Sequence, residues 1–306
     1  MSGAEIKNED VCILVPTLNE ATTVGEVVRG FKSQGFENVL VIDGDSTDAT
    51  REIAERAGAK VVVQQGKGKG TALRQAFKLF ELSEAEVIVI IDGDGTYSPS
   101  EVGKLLAPII DGEADLVIGN RFAYRGVFKP THRIGNKFVN RLFGFGYGTK
   151  TNDILSGYRA LTRDAVKKMR LERAGFEIEA EIAIEAVKRG VRIKEVPIKY
   201  DKRGGQSKLN FLRDGSKIAY TLYELTRTQN PIFYFGIIGV LFLLAGVLTG
   251  SFVVLEWFKS ISHDLLTVLT ALLVILGIQF FIFGLLGDFL VTLQKEVLEA
   301  LRGKRR

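Results

Sequence analysis

Val87–Pro99 reads VIVIIDGDGTYSP, and the fold turns on it. Five β-branched residues, Val87, Ile88, Val89, Ile90 and Ile91, run without a polar break into Asp92, Gly93, Asp94, Gly95 and Thr96. An unbroken apolar run of this kind predicts a strand buried on both faces, as in a parallel sheet. The acidic pair falls where that strand ends, and in open α/β sheets ligands bind beyond the carboxyl ends of the strands. Two carboxylates one residue apart repel each other unless a cation or a donor lies between them. The glycines beside Asp94 let the chain turn and let a ligand approach. Hard oxygen donors suit Mg²⁺ or Mn²⁺ carried with a phosphorylated ligand. An isolated Asp-x-Asp is most often only a polar turn. Its place after a buried strand, and a second acidic turn upstream, favour the metal.

Upstream, Val11–Val15 predicts a strand ended by Pro16, Thr17, Leu18, Asn19 and Glu20, with Thr22 or Thr23 capping a helix to Lys32. Val39–Ile42 predicts the next strand and ends in Asp43, Gly44 and Asp45. A helix to about Ala57 and a strand at Lys60–Val63 follow, then Gly66–Gly70 (GKGKG) and a helix over Thr71–Leu82. Strand, polar turn and helix alternate every ~25–30 residues, which predicts a mostly parallel, doubly wound sheet. Asp43 is placed to accept hydrogen bonds from a nucleobase edge or a ribose. As a calcium loop the DGDSTD run lacks the glycine at position six and the glutamate at position twelve. GKGKG lacks P-loop spacing; its lysines, Lys69 among them, are loop cations near a phosphate or solvated charge.

Downstream, Glu101–Ile110 predicts a helix and Asp115–Ile118 a strand, which places Arg121 at a strand end on the same edge as an anion clamp. Residues 122–150 mix basic, aromatic and glycine residues, as in FAYRGVF (Phe122–Phe128), and suit a loop or amphipathic helix at a membrane surface. Nucleic acid fits poorly, since the acidic turns would repel a polyanion. Glu177, Glu179 and Glu181 open a helix to Arg189, where the dipole favours acids. Val191–Tyr200 contains Pro197 and predicts an edge strand. Arg203, Gly204, Gly205, Ser207 and Lys208 make a cationic loop able to close over phosphates.

The 306 residues carry a formal charge of +5, one cysteine and two histidines. Cys12 lies in an apolar strand, so a buried thiol is expected and a disulfide framework is excluded. The polar start MSGAEIKNED has no signal-peptide core, so the domain from Val11 is expected in the cytosol. Leu209–Gln229 predicts an amphipathic helix, with Phe211, Leu212 and Leu222 against Arg213, Lys217 and Arg227. Ile232–Leu255 and Leu265–Gly287 are uncharged throughout, and ~20 apolar residues span a bilayer as helix. Basic residues before the first span and at Arg302–Arg306 place both flanks in the cytosol. The expected organisation is a cytosolic catalytic domain (1–208), an interfacial helix (209–230), a transmembrane hairpin (231–293, spans 232–255 and 265–287) and a basic cytosolic tail (294–306). Gly236, Gly239, Gly246 and Gly250 suggest close helix packing within the hairpin or between subunits. Asp288 is expected near the cytosolic interface.

Taken together, VPTLNE, VIDGDSTD, IDGDG, IGNRF, DILSGYR and GGQSK resemble the family 2 glycosyltransferases of GT-A fold, in the branch of the dolichyl-phosphate hexose synthases. GFEIE and NPIFYFG are similar to the archaeal dolichyl-phosphate hexosyltransferases of S-layer N-glycan assembly. The resemblance implies that Pro16, Thr17, Glu20, Asp43 and Asp45 contact the nucleotide and that Asp92 and Asp94 hold a metal–diphosphate. It implies that Asp153 orients the transferred sugar, and that Arg121, Ser156, Arg203, Ser207 and Lys208 face the lipid phosphate or the diphosphate, with Lys69 on the nucleotide sugar. It further implies an inverting transfer of a hexose from a nucleotide sugar, UDP-linked first and GDP-mannose next, to dolichyl or polyprenyl phosphate. Mannose synthases of the branch often carry Gln where this chain has Thr96, which bears on metal coordination and on the sugar. Trp257 follows Glu256, so the QxxRW motif of the processive synthases is absent. The competing readings are a transferase of the same fold acting on another membrane acceptor, and a non-catalytic membrane-anchored binding protein; oligomeric state is left open.

Overall fold

The computed structural model describes residues 6–123, 136, 137, 139–141, 143, 144, 151–201 and 231–303, with side chains described as far as 293. Arg203, Ser207, Lys208, the helix expected over 209–230 and the final basic residues 304–306 lie outside the described residues. The chain forms two compact units, Met1–Thr221 and Leu222–Arg306.

In the first unit β1 (Val11–Thr17), α1 (Val24–Lys32), β2 (Val39–Asp43), α2 (Thr50–Arg56), β3 (Lys60–Val63), α3 (Lys69–Glu81) and β4 (Val87–Ile90) alternate as the sequence predicts. Then come α4 (Val102–Ile110), β5 (Leu116–Asn120), β6 (Arg159–Thr162), α5 (Arg163–Lys168), α6 (Ile178–Lys188) and β7 (Ile193–Pro197). The sheet order is β3-β2-β1-β4-β6-β5-β7. Proline-containing β7 is an edge strand, where its missing N–H breaks no ladder.

Successive residues of the central strands serve opposite cores. Val11, Ile13, Val15, Val87 and Val89 pack with Val27, Val28 and Phe31 of α1 and Leu105 and Ile109 of α4. Cys12, Leu14, Ile88 and Ile90 pack with Leu73, Phe77 and Phe80 of α3 and Ile178 and Ile182 of α6. Helices on both faces are why these strands read as continuous apolar runs.

The sequence pattern does not foretell β6, which pairs antiparallel with both β4 and β5. Its reason is topological. The chain leaves β5 at the carboxyl edge of the sheet, and 151–158 lead into β6 from that same edge. Re-entering from that edge, it must run backwards. The DILSGYR run is therefore hung on the carboxyl edge of the sheet.

One further expectation is corrected. Thr23 occupies the first cap position of α1, yet its hydroxyl caps no helical N–H. It donates instead to the Gly93 carbonyl at 2.7 Å, tying the start of α1 to the acidic turn after β4.

The second unit is a helical hairpin of α7 (Pro231–Trp257) and α8 (Asp264–Gly303). Both helices are long and apolar enough to cross a membrane. α7 alone, at 27 residues, is ~40 Å long by the helical rise, against a hydrocarbon core of ~30 Å. Leu241, Leu248, Leu255 and Leu265 face outward, an apolar surface suited to lipid. The glycines serve packing within the hairpin. A Cβ at Gly239 would lie 2.8 Å from the Gly277 carbonyl oxygen, and one at Gly246 2.8 Å from Val274. α8 continues as one helix through Gly303, ten residues past the end of the candidate span at Leu293. Gly287 packs on Pro231, which puts the neighbouring Asp288 at the open end of the hairpin.

Candidate active site

The carboxyl ends of β2, β1 and β4 lie side by side, because these strands are parallel neighbours in register. Pro16 and Thr17 therefore sit beside Ile42 and Asp43. The loops after β1 and β2 are joined by short hydrogen bonds. Asn19 N–H donates to Ser46 Oγ at 2.8 Å, Thr47 N–H to Asn19 Oδ1 at 2.8 Å, and Glu20 N–H to Thr50 Oγ1 at 2.8 Å.

The two aspartates after β2 part company. Asp43 is fully buried. Its carboxylate accepts from Thr17 Oγ1 at 3.1 Å, Ser46 N–H at 2.8 Å and Ser46 Oγ at 2.5 Å, with Arg51 Nε at 3.8 Å. It ties the loops after β1 and β2 together from within and presents no surface of its own. Asp45 has left-handed backbone, φ +65°, which Asp tolerates better than most residues. That turn swings its side chain outward to 81% exposure.

The acidic turn after β4 is held on three sides. Thr17 Cγ2 stands where a Cβ on Gly93 would go, at 2.7 Å. Asp94 Oδ1 accepts from the backbone N–H of Thr96 at 3.1 Å and from its hydroxyl at 2.6 Å. Thr96 is itself buried, so it orients Asp94 from behind rather than entering the cleft as a ligand. Asp92 Oδ1 accepts from the ammonium of Lys69, which also lies 2.6 Å from Glu179 Oε1. Lys69, expected on the nucleotide sugar, is thus engaged by two acids. Its burial alone would lower its pKa, but Asp92 and Glu179 outweigh that and hold it above the ordinary lysine value. The backbone of Gly157 presses against the Asp92 carboxylate so closely that any Cβ there would collide with it.

Arg121 and Asp153, expected on acceptor phosphate and sugar, are brought together as one buried pair. Arg121 Nε donates to Asp153 Oδ2 at 2.8 Å and Nη2 to Oδ1 at 2.7 Å; the Arg121 N–H adds 2.9 Å to Oδ2. Burial would lower the arginine pKa, but Asp153 more than reverses it. The guanidinium also lies 5.4 Å from the Tyr200 ring centroid. Glu195 on β7 orients the segment, accepting from Asn152 N–H at 2.6 Å and Asp153 N–H at 3.0 Å.

Ser156, expected on the lipid phosphate, is fully buried, and Tyr158 N–H donates to its hydroxyl at 3.4 Å. It shapes the DILSGYR turn from inside. Arg159 does the same work: its buried guanidinium donates to the carbonyls of Ser156 and Glu179 at 2.8 and 2.7 Å, and to that of Ile154. Tyr97 pairs with Tyr200 as an isolated antiparallel bridge, and Asp201 N–H donates to the Thr96 carbonyl at 2.8 Å. The chain therefore enters the cationic 202–208 run from a point two residues past Asp94.

Among the described residues no three His, Cys, Asp or Glu side chains converge as a closed metal cage. Asp92 and Asp94 nonetheless fit a divalent cation. They are half-buried hard-oxygen donors one residue apart, just past the end of a buried strand. Mg²⁺-type ions commonly take one or two carboxylates and complete their shell with phosphate and water.

Glu179 is the functional candidate that sequence reasoning missed. As one of three acids opening a helix it reads as a dipole partner, and no local signal distinguishes it from Glu177 or Glu181. Thr96 and Gly157 were visible as residues, but their service to Asp94 and Asp92 was not.

The mixed sheet with two acidic turns at its carboxyl edge has GT-A architecture. Residues 12–170 match Glycosyl transferase family 2, and the chain belongs to that family. It is 43% identical over 296 residues to the glycosyltransferase AglJ of Haloferax volcanii, covering 95% of this chain and 97% of that one. It is 32% identical over 221 residues to the dolichyl-phosphate hexose transferase of the same organism, covering 71% and 94%. Glucosyl-3-phosphoglycerate synthase from Mycobacterium tuberculosis, solved with Mn²⁺ and UDP-glucose, shares the fold with a TM-score of 0.58 at 22% identity, covering 71% of this chain and 78% of that one.

Proposed function

We propose that this glycosyltransferase moves a hexose, with inversion, from a nucleotide sugar to dolichyl or polyprenyl phosphate at the cytosolic face of the membrane. A UDP-sugar is the first candidate donor and GDP-mannose the second. The observation that carries this reading is the Asp92–Asp94 turn, half-buried at the carboxyl edge and hydrogen-bonded through Thr96 to Asp201. The dolichyl-phosphate relative supports a lipid-phosphate acceptor, and the two helices long enough to cross a bilayer support a membrane location.

The chemistry asks little of a general base. A lipid phosphate oxygen is already anionic at neutral pH and attacks the anomeric carbon directly. The carboxylate of Asp153 is fully engaged by Arg121, which suits it to positioning rather than to proton abstraction. A divalent metal, Mg²⁺ or Mn²⁺, held at Asp92 and Asp94 would stabilise the leaving diphosphate as charge develops. Asp43, through Thr17 and Ser46, fixes the loops that receive the nucleoside; exposed Asp45 lies at their rim. Arg203, Ser207 and Lys208 would hold phosphate oxygens and, by closing, exclude water.

Membranes containing the protein should transfer radiolabel from one of UDP-glucose, UDP-N-acetylglucosamine or GDP-mannose to polyprenyl phosphate, giving an acid-labile lipid product, and chelation should stop it. Activity that survives chelation would remove the metal. Transfer only to a non-phosphorylated lipid would remove the acceptor.

A further inference from the structure

Resting on that reading and deepening it, we propose that Glu179 and Lys69 are positioning residues for metal binding at Asp92. The Lys69 ammonium fixes one carboxylate oxygen of Asp92, and Glu179 fixes and counterbalances Lys69. Two separate sequence runs, GKGKG and GFEIEAE, supply the two halves of this bracket.

The geometry runs as a chain of contacts. Lys69 opens α3 between two glycines. Gly68 has φ +99°, and a Cβ there or at Gly70 would collide with the carbonyl of Ala174 or Arg173. The missing side chains let the start of α3 dock on 173–175, with Gly70 N–H donating to the Ala174 carbonyl at 2.9 Å. That segment leads into α6, which carries Glu179. Glu181 secures the segment, accepting from the N–H groups of Glu172 and Arg173, each at 3.0 Å. The Lys69 ammonium is set between Asp92 and Glu179, 2.6 Å from Glu179 Oε1. Its side chain is only 13% exposed and that of Glu179 only 8%, so solvent screens the bracket little.

A cation beside a metal ligand has two effects of opposite sign. It orients the carboxylate, and it repels the incoming ion. Glu179 offsets the repulsion. Glu179→Gln removes that offset and leaves Lys69 bound to Asp92 alone, so Mn²⁺ affinity should fall. Loss of a partner that orients a metal ligand typically costs ~10–100-fold in affinity. Lys69→Met removes repulsion and orientation together. The two losses oppose each other, so Mn²⁺ binding should fall less than in Glu179→Gln, while sugar transfer falls because Asp92 is no longer aimed.

The test is Mn²⁺ binding to the full-length detergent-solubilised protein, with Mn²⁺ alone and with UDP, read from the electron paramagnetic resonance signal of the free ion. The expected pattern is a ~10–100-fold rise in Kd for E179Q, a smaller rise for K69M, and partial recovery in E179D, which keeps the charge. An unchanged Kd in E179Q, an equal rise in E179Q and K69M, or no recovery in E179D overturns the proposal. Should K69M fail to fold, the contrast of E179Q with E179D decides alone. D94N separates this inference from the reading beneath it. If D94N loses Mn²⁺ while E179Q keeps it, only the positioning role fails; if D94N also keeps it, the metal site itself is wrong.

Discussion

Arg121 grips Asp153 with Nε, Nη2 and its own backbone N–H, at 2.8, 2.7 and 2.9 Å, across 32 residues of sequence. Three donors from one residue fix both oxygens of a carboxylate that has no exposed surface. Removing the guanidinium strands a buried acid, a change that costs ~3–5 kcal/mol. Arg121→Ala should therefore destabilise the protein by about that amount in chemical denaturation, beyond any effect on the acceptor. Arg121→Met with Asp153→Leu removes both charges and should cost less than Arg121→Ala alone. A double variant at least as unstable as the single one would contradict the assignment of the cost to an unpaired Asp153.

Gly157 faces Asp92 without a side chain. Adding one methyl would put a carbon 2.8 Å from Asp92 Cγ, well inside contact distance. Gly157→Ala should push the carboxylate aside while the fold persists, since the rest of the turn is secured by Arg159. Displacement of a catalytic group by ~1 Å can cost ~100-fold in rate. Turnover in the transfer assay should drop by that order with the melting temperature little changed. Near-parental turnover would mean that Asp92 tolerates repositioning.

Thr96 supplies the hydroxyl that aims Asp94, at 2.6 Å. Hydrogen bonds to a charged group contribute ~1.5–3 kcal/mol, or ~10–100-fold in an equilibrium constant. Thr96→Val preserves the shape and deletes the donor. Mn²⁺ binding should weaken by about that range, and Thr96→Ser should retain most of it. Equal loss in both would point to the methyl group and its packing.

Cys12 lies in β1 with its thiol pKa pushed up to about 12 by burial. The unfolded thiol titrates near ~8.5. The folded chain therefore keeps a proton that the unfolded chain gives up, and the contribution to stability is complete below pH ~8.5. It is lost as pH rises, by ~1.4 kcal/mol per unit, until the folded thiol itself ionises. Comparing Cys12→Ala with the parent from pH 8 to 11 should show the parent losing stability faster. A thiol reagent at pH 8 should label the unfolded chain and leave the folded one untouched; rapid labelling of the folded protein would refute the burial argument.

The sequence alone determined the alternation of strands and helices, the acidic turns on one sheet edge, and the two spans. Each is written in local pattern: apolar runs for strands covered on both faces, glycine and aspartate where a strand must stop, uncharged stretches for lipid. Tertiary structure decided what each charged side chain is for. β6 is a four-residue strand with no distinctive pattern, and its reversed direction follows from where the chain re-enters the sheet. Asp43 and Asp45 look alike in sequence; one left-handed residue sends the second outward and leaves the first inside. Lys69 meets Glu179, and Arg121 meets Asp153, through strand register and helix docking. Periodicity tells a residue which face it occupies. It does not say which distant residue shares that face, and in this protein such partners orient Asp92 and Asp153.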